Sequence, residues 1–126
     1  MTQGLTLDAG ALIALDRNER LILALLAQTD ANDAPISIPA TALAQAIRNP
    51  RRQVRLARLI RQATTTVIPL DQDDAAAVGR LLATSGSADI ADAHVVLCAR
   101  RTGQRVVTSD PNDLTALDPG VEVITV

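Results

Sequence analysis

The stretch Leu5-Thr6-Leu7-Asp8-Ala9-Gly10-Ala11-Leu12-Ile13-Ala14-Leu15 sets a short apolar strand directly against an apolar helix, with one acid at the joint. Working outward, Glu19 to Gln28 reads as a second helix and Ile36-Ser37-Ile38 as a second strand. Asp30-Ala31-Asn32-Asp33-Ala34-Pro35 between them is turn chemistry. Pro39 suits the first position of a helix through Ile47, which Asn49-Pro50 ends, and an arginine-rich helix is expected from Arg51 to Gln62. β-branched Thr65-Thr66-Val67-Ile68-Pro69 reads as a third strand. Asp71 caps a helix through Ala83, with Asp73 and Asp74 in its first turn. Asp89 to Arg101 is a further helix, stopped by Gly103. Arg105 to Thr108 is a fourth strand, Asp110-Pro111 opens a short helix, and Val121 to Val126 closes as a strand. Strands alternating with helices predict a single α/β domain over 1–126, with a mostly parallel central sheet flanked by helices. In such sheets ligands bind beyond the carboxyl ends of the strands.

Composition narrows the chemistry. With 48% hydrophobic and 21% charged residues, the 126-residue chain is suited to one packed core and is not disordered. The absence of Phe, Tyr and Trp leaves Leu, Ile, Val and Ala to fill the core and removes aromatic stacking as a means of holding single-stranded nucleic acid. All 12 basic residues are arginine, which excludes a P-loop lysine and makes a receiver-type phospho-aspartate site a poor match. One cysteine, Cys98, cannot staple the fold and points to a reducing compartment. No apolar run approaches the roughly 18 residues a membrane span needs, and no basic N-region precedes an apolar one. The expectation is a soluble cytoplasmic protein with no membrane partner. The net charge of −2 conceals segregation: residues 1–33 carry two arginines against five acids, residues 34–70 six arginines and no acid, and residues 71–126 four arginines against nine acids.

The acids at the strand ends carry the chemistry. Asp8 ends the first strand and Asp110 lies two residues past the fourth. Asp89 and Asp92 open the preceding helix on one face, and Asp113 follows Asp110 by one helical turn. Five carboxylates on one rim repel one another, and a hard divalent cation such as Mg²⁺ or Mn²⁺ relieves that repulsion through oxygen ligands. At a phosphodiester such a cation can activate water and offset charge on phosphate oxygens. Each acid also has a plainer reading. Asp110-Pro111-Asn112-Asp113 is a good helix start on its own terms, and Asp89 suits an N-cap. Asp92, inside apolar Ile90-Ala91-Asp92-Ala93, and Asp8 are the least readily explained by capping.

Leu7-Asp8-Ala9-Gly10-Ala11-Leu12, Asp89-Ile90-Ala91-Asp92-Ala93 and Val106-Val107-Thr108-Ser109-Asp110-Pro111-Asn112-Asp113 together resemble the three acidic blocks of PIN-domain ribonucleases, in order and spacing, across nearly the whole chain. The small single-domain form is similar to VapC-type toxins of type II toxin–antitoxin pairs. The resemblance implies a three-layer PIN-like domain and a Mg²⁺- or Mn²⁺-dependent endoribonuclease. Asp8, Asp92 and Asp110 would then hold metal, with Asp89 and Asp113 assisting. It also implies an RNA substrate, a small antitoxin partner and a homodimer. One position departs from the pattern: Gln45 stands where the family usually has a glutamate, so it can position water or substrate but brings no charge.

Arg48, Arg51, Arg52, Arg55, Arg58 and Arg61 fall within 14 residues without a compensating acid. At about 100° per residue, Arg51, Arg55, Arg58 and Arg61 share one helix side. A solvated face is the plain reading; RNA phosphates or an acidic segment of an antitoxin are the functional ones. His94 points away from the Asp89/Asp92 face and is expected to be a structural or surface residue, and Cys98 to be core. Two rivals stand beside the nuclease. Gln45 favours a catalytically weak PIN-like module that binds RNA or a regulator. A haloacid-dehalogenase-like phosphatase would need an acid where Gly10 stands and a lysine that is absent.

Overall fold

The computed structural model describes residues 4–126. Residues 1–3, which the reading of the N-terminus includes, lie outside the described residues. Five strands form one sheet: β1 (Leu5–Leu7), β2 (Ile36–Pro39), β3 (Thr65–Ile68), β4 (Arg105–Thr108) and β5 (Val123–Thr125). The spatial order is β3-β2-β1-β4-β5 and every pairing is parallel, so the sheet is parallel throughout rather than mostly so. Seven helices connect the strands: α1 (Ala9–Asp16), α2 (Arg20–Ala31), α3 (Ala40–Ala46), α4 (Val54–Arg61), α5 (Gln72–Ser85), α6 (Ile90–Thr102) and α7 (Pro111–Leu117). None is long and apolar enough to cross a membrane, among the described residues.

Strand periodicity assigns the layers. Leu5, Leu7, Ile36, Ile38 and Val107 project to one side, where Leu12, Leu15, Ile22, Leu56 and Leu59 of α1, α2 and α4 bury them. Val106 projects to the other, against Val95, Val96 and Ala99 of α6 and Leu114 and Leu117 of α7. Helices therefore cover both faces, as a parallel sheet requires. Short α3 sits between these layers: Ala42 joins the α6 core and Ala46 the α1 core.

Several expected boundaries shift: α2 runs on through Ala31, into residues read as turn, α5 ends at Ser85 rather than Ala83, and the closing strand is confined to Val123–Thr125. Pro39 does not open a helix: it is the last residue of β2, in register with Ile68, and α3 begins at Ala40. The arginine-rich helix begins at Val54, not Arg51. Gln53 is buried, and its side chain accepts from the Arg48 and Asn49 N–H groups at 3.0 and 3.2 Å and donates to the Ala46 carbonyl at 2.9 Å. Those bonds hold residues 48–52 as a turn, so Arg51 and Arg52 lie outside the helical stripe that Arg55, Arg58 and Arg61 share.

The path that sets the site is the reversal at β1. From β1 the chain moves outward through β2 to β3, then α5 and α6 return it to β4 on the other side of β1. The carboxyl ends of β1 and β4 thus flank the point where winding direction changes, which is where open α/β sheets form their crevice.

Candidate active site

Asp8 follows the last residue of β1, and alternation from Leu7 turns its side chain to the α6 side of the sheet. It is 6% exposed and caps α1, its Oδ1 accepting from the Ala11 N–H at 2.8 Å. Asp8 therefore does have the capping role that the sequence left least expected, but the cap engages one oxygen only. Burial raises its pKa above the usual carboxylate value. The Thr108 hydroxyl and the Ala11 and Gly10 N–H groups favour the charged form, and Asp110 opposes it.

Thr108 was not singled out in the sequence, yet it joins two of the acids. Its buried hydroxyl lies beside the Asp8 carboxylate and accepts from the Asp110 N–H at 2.9 Å. The signal was register: Thr6 pairs with Val106 and Leu7 with Val107, so the next pair along is Asp8 and Thr108.

Asp89 is the N-cap of α6, its Oδ1 accepting from the Asp92 N–H at 2.9 Å. Asp92, three residues on, is half-buried. Burial pushes its pKa up to about 7, with further upward contributions from Asp89, Asp8 and Asp113. Asp110 holds the N-cap position of α7, ahead of Pro111, but its side chain makes no capping bond. The plain reading of Asp110 as a cap is thus not realised. Asp113, in the first turn of α7, is exposed and pushed upward chiefly by the charge of Asp110, with which it also shares a hydrogen bond, and by Asp89.

The five acids form one electrostatic cluster, in which Asp8 senses Asp110, Asp92 senses Asp8, Asp89 and Asp113, and Asp113 senses Asp110 and Asp89. Three helix N-termini, those of α1, α6 and α7, meet there, and their dipoles offset part of the repulsion. An open groove of about 400 Å³ runs beside it, lined by Ser85, Ser87, Asp89, Asp92 and Asp113 among others. The donor chemistry suits a hard divalent cation. Among the described residues, however, no three acids are drawn tightly enough to make a ready-formed metal site. The caps explain part of this spread, since Asp8 and Asp89 each hold one oxygen on their own helix, and like charge separates the remainder.

Gly10 determines how closely the two sides of the crevice approach. A Cβ there would stand 2.2 Å from the Ser109 Oγ and 3.3 Å from its Cβ and N, so a larger residue would require the Ser109 hydroxyl to turn away and the loop after β4 to give by a few tenths of an ångström.

The other expected residues are not bonded to this cluster. Gln45 is exposed on α3 and makes no hydrogen bond with the five acids. Arg48, Arg51, Arg52, Arg55 and Arg58 are exposed beside the α1 and α2 layer, away from the α6 side that Asp92 occupies. Among the described residues they form no ion pair. His94 is structural as expected, but fully buried rather than at the surface: Nδ1 meets the Thr41 hydroxyl at 2.7 Å and Nε2 has no partner. Burial lowers its pKa, and Asp74 acts against that. Cys98 is core, its thiol pushed up to about 11 by burial. Asp74 is more than a helix-start residue: it is 4% exposed and bonded to Arg101 at 2.5 Å.

No family model matches the chain, and comparison with curated proteins gives no match either. Solved structures do. FitAcB from Neisseria gonorrhoeae shares 19% identity over 96% of each chain, with a TM-score of 0.64. VapBC2 from Rickettsia felis, solved bound to a DNA fragment from its promoter, shares 15% over 98% of each chain, with a TM-score of 0.71. FitAB bound to an IR36 DNA fragment shares 19% over 96% of this chain and 94% of that one, with a TM-score of 0.64. At such identities the likeness speaks for architecture: the chain has the three-layer PIN-like α/β fold of these proteins, with a five-stranded parallel sheet between helices.

Proposed function

We propose that this protein is a divalent-metal-dependent endoribonuclease, the toxin of a toxin–antitoxin pair, working in the cytoplasm as a homodimer restrained by a small antitoxin protein. The observation that carries the reading is the convergence of five aspartates at the β1/β4 crevice, where Asp8, Asp92 and Asp113 are all raised and Asp92 is pushed up to about 7. Titratable groups so perturbed in a cleft mark functional sites more often than structural ones. The fold likeness to chains solved within VapBC2 and FitAcB supports the antitoxin partner.

In this reading Asp8, Asp92 and Asp110 hold Mg²⁺ or Mn²⁺, with Asp89 and Asp113 completing the site. When bound, such a cation would supply compensation for charge on the scissile phosphate and a lowered pKa for attacking water. The chain's own residues set the conditions. Burial raises the pKa of Asp8, and the Thr108 hydroxyl and the α1 N-terminus act against that rise by favouring its charged form. Asp92 titrates near neutrality, so it can hold or release a proton at working pH. Asp89 and Asp113 face the groove, where an RNA strand would lie.

The test is cleavage of a structured RNA pool by purified protein in Mn²⁺ or Mg²⁺, beside Asp8→Asn. Metal-dependent cleavage lost in the variant is expected. Equal cleavage in both proteins, or none with any metal, refutes the reading. The second outcome would favour a binding module that does not cut, the reading to which exposed Gln45, unbonded to the acids, lends support.

A further inference from the structure

Six arginines lie between residues 48 and 61, yet the first three are not on the helix that carries the others. Arg48, Arg51 and Arg52 belong to a tight turn in which the Arg52 N–H donates to the Asn49 carbonyl at 2.9 Å and the Gln53 N–H to the Pro50 carbonyl at 3.3 Å. Three exposed like charges on five consecutive residues repel one another and would favour an open chain. The turn is held closed by a neutral amide: buried Gln53 ties the Arg48 and Asn49 N–H groups to the Ala46 carbonyl, the end of α3. A polar side chain buried to make three backbone bonds fixes where these guanidinium groups start from.

We propose that the Gln53-clamped turn is a preorganised site for the phosphodiester backbone of single-stranded RNA, with Gln53 as its positioning residue. The inference rests on the RNA-cutting reading for its ligand, but it concerns binding alone and is measured without metal. Among the described residues none of the three arginines is paired with an acid. Arg48 donates one N–H to the Ile47 carbonyl at 2.8 Å and keeps its other donors free. Arginine forks match phosphate oxygens bidentately, and a fixed turn reduces the ordering cost of binding. The guanidinium groups of Arg48, Arg51 and Arg52 line neither pocket beside α4, although Pro50 and Gln53 of the turn join Ile47, Leu56 and Ile60 around a small apolar one of about 120 Å³. Unpaired arginines in a segment, residues 34–70, that holds no acid match the continuous negative charge of a phosphate backbone. α3 leaves the carboxyl end of β2 and packs on both α1 and α6, so the turn at its far end is anchored to the same helices that carry the acids.

The test is anisotropy of a labelled, mixed-sequence 12-nucleotide RNA (about one extended strand's footprint) with the wild-type chain in EDTA, titrated over salt. The triple variant Arg48→Gln, Arg51→Gln, Arg52→Gln is expected to bind at least about tenfold more weakly and to lower the slope of log K against log salt by about 2. Gln53→Ala keeps every charge, so it is expected to weaken binding several-fold with the slope nearly unchanged, a split that general loss of folding would not produce. Unchanged affinity and slope in the triple variant overturn the site, whether or not Gln53→Ala folds. Equal loss for Arg55→Gln with Arg58→Gln shows a diffuse basic face instead and overturns the turn's special role. Binding of polyglutamate that exceeds RNA binding, and that the triple variant abolishes, overturns it in favour of an acidic protein partner. Because no cation is present, absence of cleavage elsewhere leaves this result intact, and failure here leaves the acid cluster untouched.

Discussion

The α-carbon of Gly10 faces the side chain of Ser109 so closely that one added carbon would stand 2.2 Å from its Oγ. This contact locks the first turn of α1 to the loop after β4, and those two segments carry Asp8 and Asp110. The missing side chain at Gly10, filled by the Ser109 hydroxymethyl, therefore helps to set the width of the crevice.

Gly10→Ala is expected to push that loop outward and separate Asp8 from Asp110. Since Gly10 lies in α1, alanine should help the helix by up to about 1 kcal/mol while the clash works against it. The expected result is a small net stability change with cleavage down about tenfold or more. Double replacement with Ser109→Gly removes the obstructing hydroxymethyl group and should restore most activity. A single variant as active as the parent would show that the contact does not govern the acids.

Asp92 supplies a pH prediction. Its folded pKa is near 7 against an ordinary value of 3.8. A carboxyl group raised on folding binds more protons in the native state, so metal-free stability is highest below the ordinary value and falls as pH climbs from about 4 to 7. Discounted for its partial exposure, the loss is roughly 1–2 kcal/mol, a Tm drop of several degrees for a domain of this size. Asp92→Asn should flatten the decline. A Tm that rises across that interval in wild type, with no difference in the variant, would contradict the burial and repulsion found at this side chain.

Much of this arrangement was legible before any coordinates. All five strands and the helices between them follow from periodicity and turn chemistry, because each strand is short, apolar and bounded by polar or turn residues. The five acids could be grouped by the rule that strand carboxyl ends build the site. Tertiary contacts decided the remainder. Strand order is invisible to local pattern, so the Asp8–Thr108 pairing emerged only from the register of β1 on β4. Arg51 and Arg52 have good helical composition, yet Gln53 holds them in a turn through bonds to residues five and seven positions back and one four back. Asp74 had the look of a first-turn acid; its burial could have been foreseen from Val78, one turn on and also buried.

That buried acid yields a contrast between two ion pairs. Arg101 is half exposed, but its partner Asp74 is nearly sealed from solvent. Arg100 meets Asp118 at 2.8 Å, where both have some access to water, and Arg100 with a backbone N–H from Gly120 holds the Asp118 carboxyl below its usual range. Arg101→Ala strands a buried carboxylate and should cost about 2–3 kcal/mol, whereas Arg100→Ala should cost no more than about 1 kcal/mol. Urea melts of the two variants at pH 7 check this. Equal losses would mean that Asp74 finds another partner.

Cation binding provides the last prediction, because it joins the spread of the acids to their chemistry. Without metal the carboxylates are mutually perturbed but not gathered into a ready-formed site. On the proposed reading, binding would draw them inward and would displace protons, since Asp92 is pushed up to about 7. Mn²⁺ should therefore raise Tm more at pH 8 than at pH 6 and release protons into weakly buffered solution at pH 7. At a free concentration a hundredfold above Kd the stabilisation should be about 2.7 kcal/mol. Asp8→Asn and Asp110→Asn should each abolish most of that shift. They act on different parts of the cluster, however. Asn in place of Asp8 keeps a carbonyl for the Ala11 cap, so α1 should remain intact, and Asp110→Asn removes no cap because none is made there. A Tm shift of equal size at both pH values, retained in both variants, would place the cation somewhere other than these aspartates.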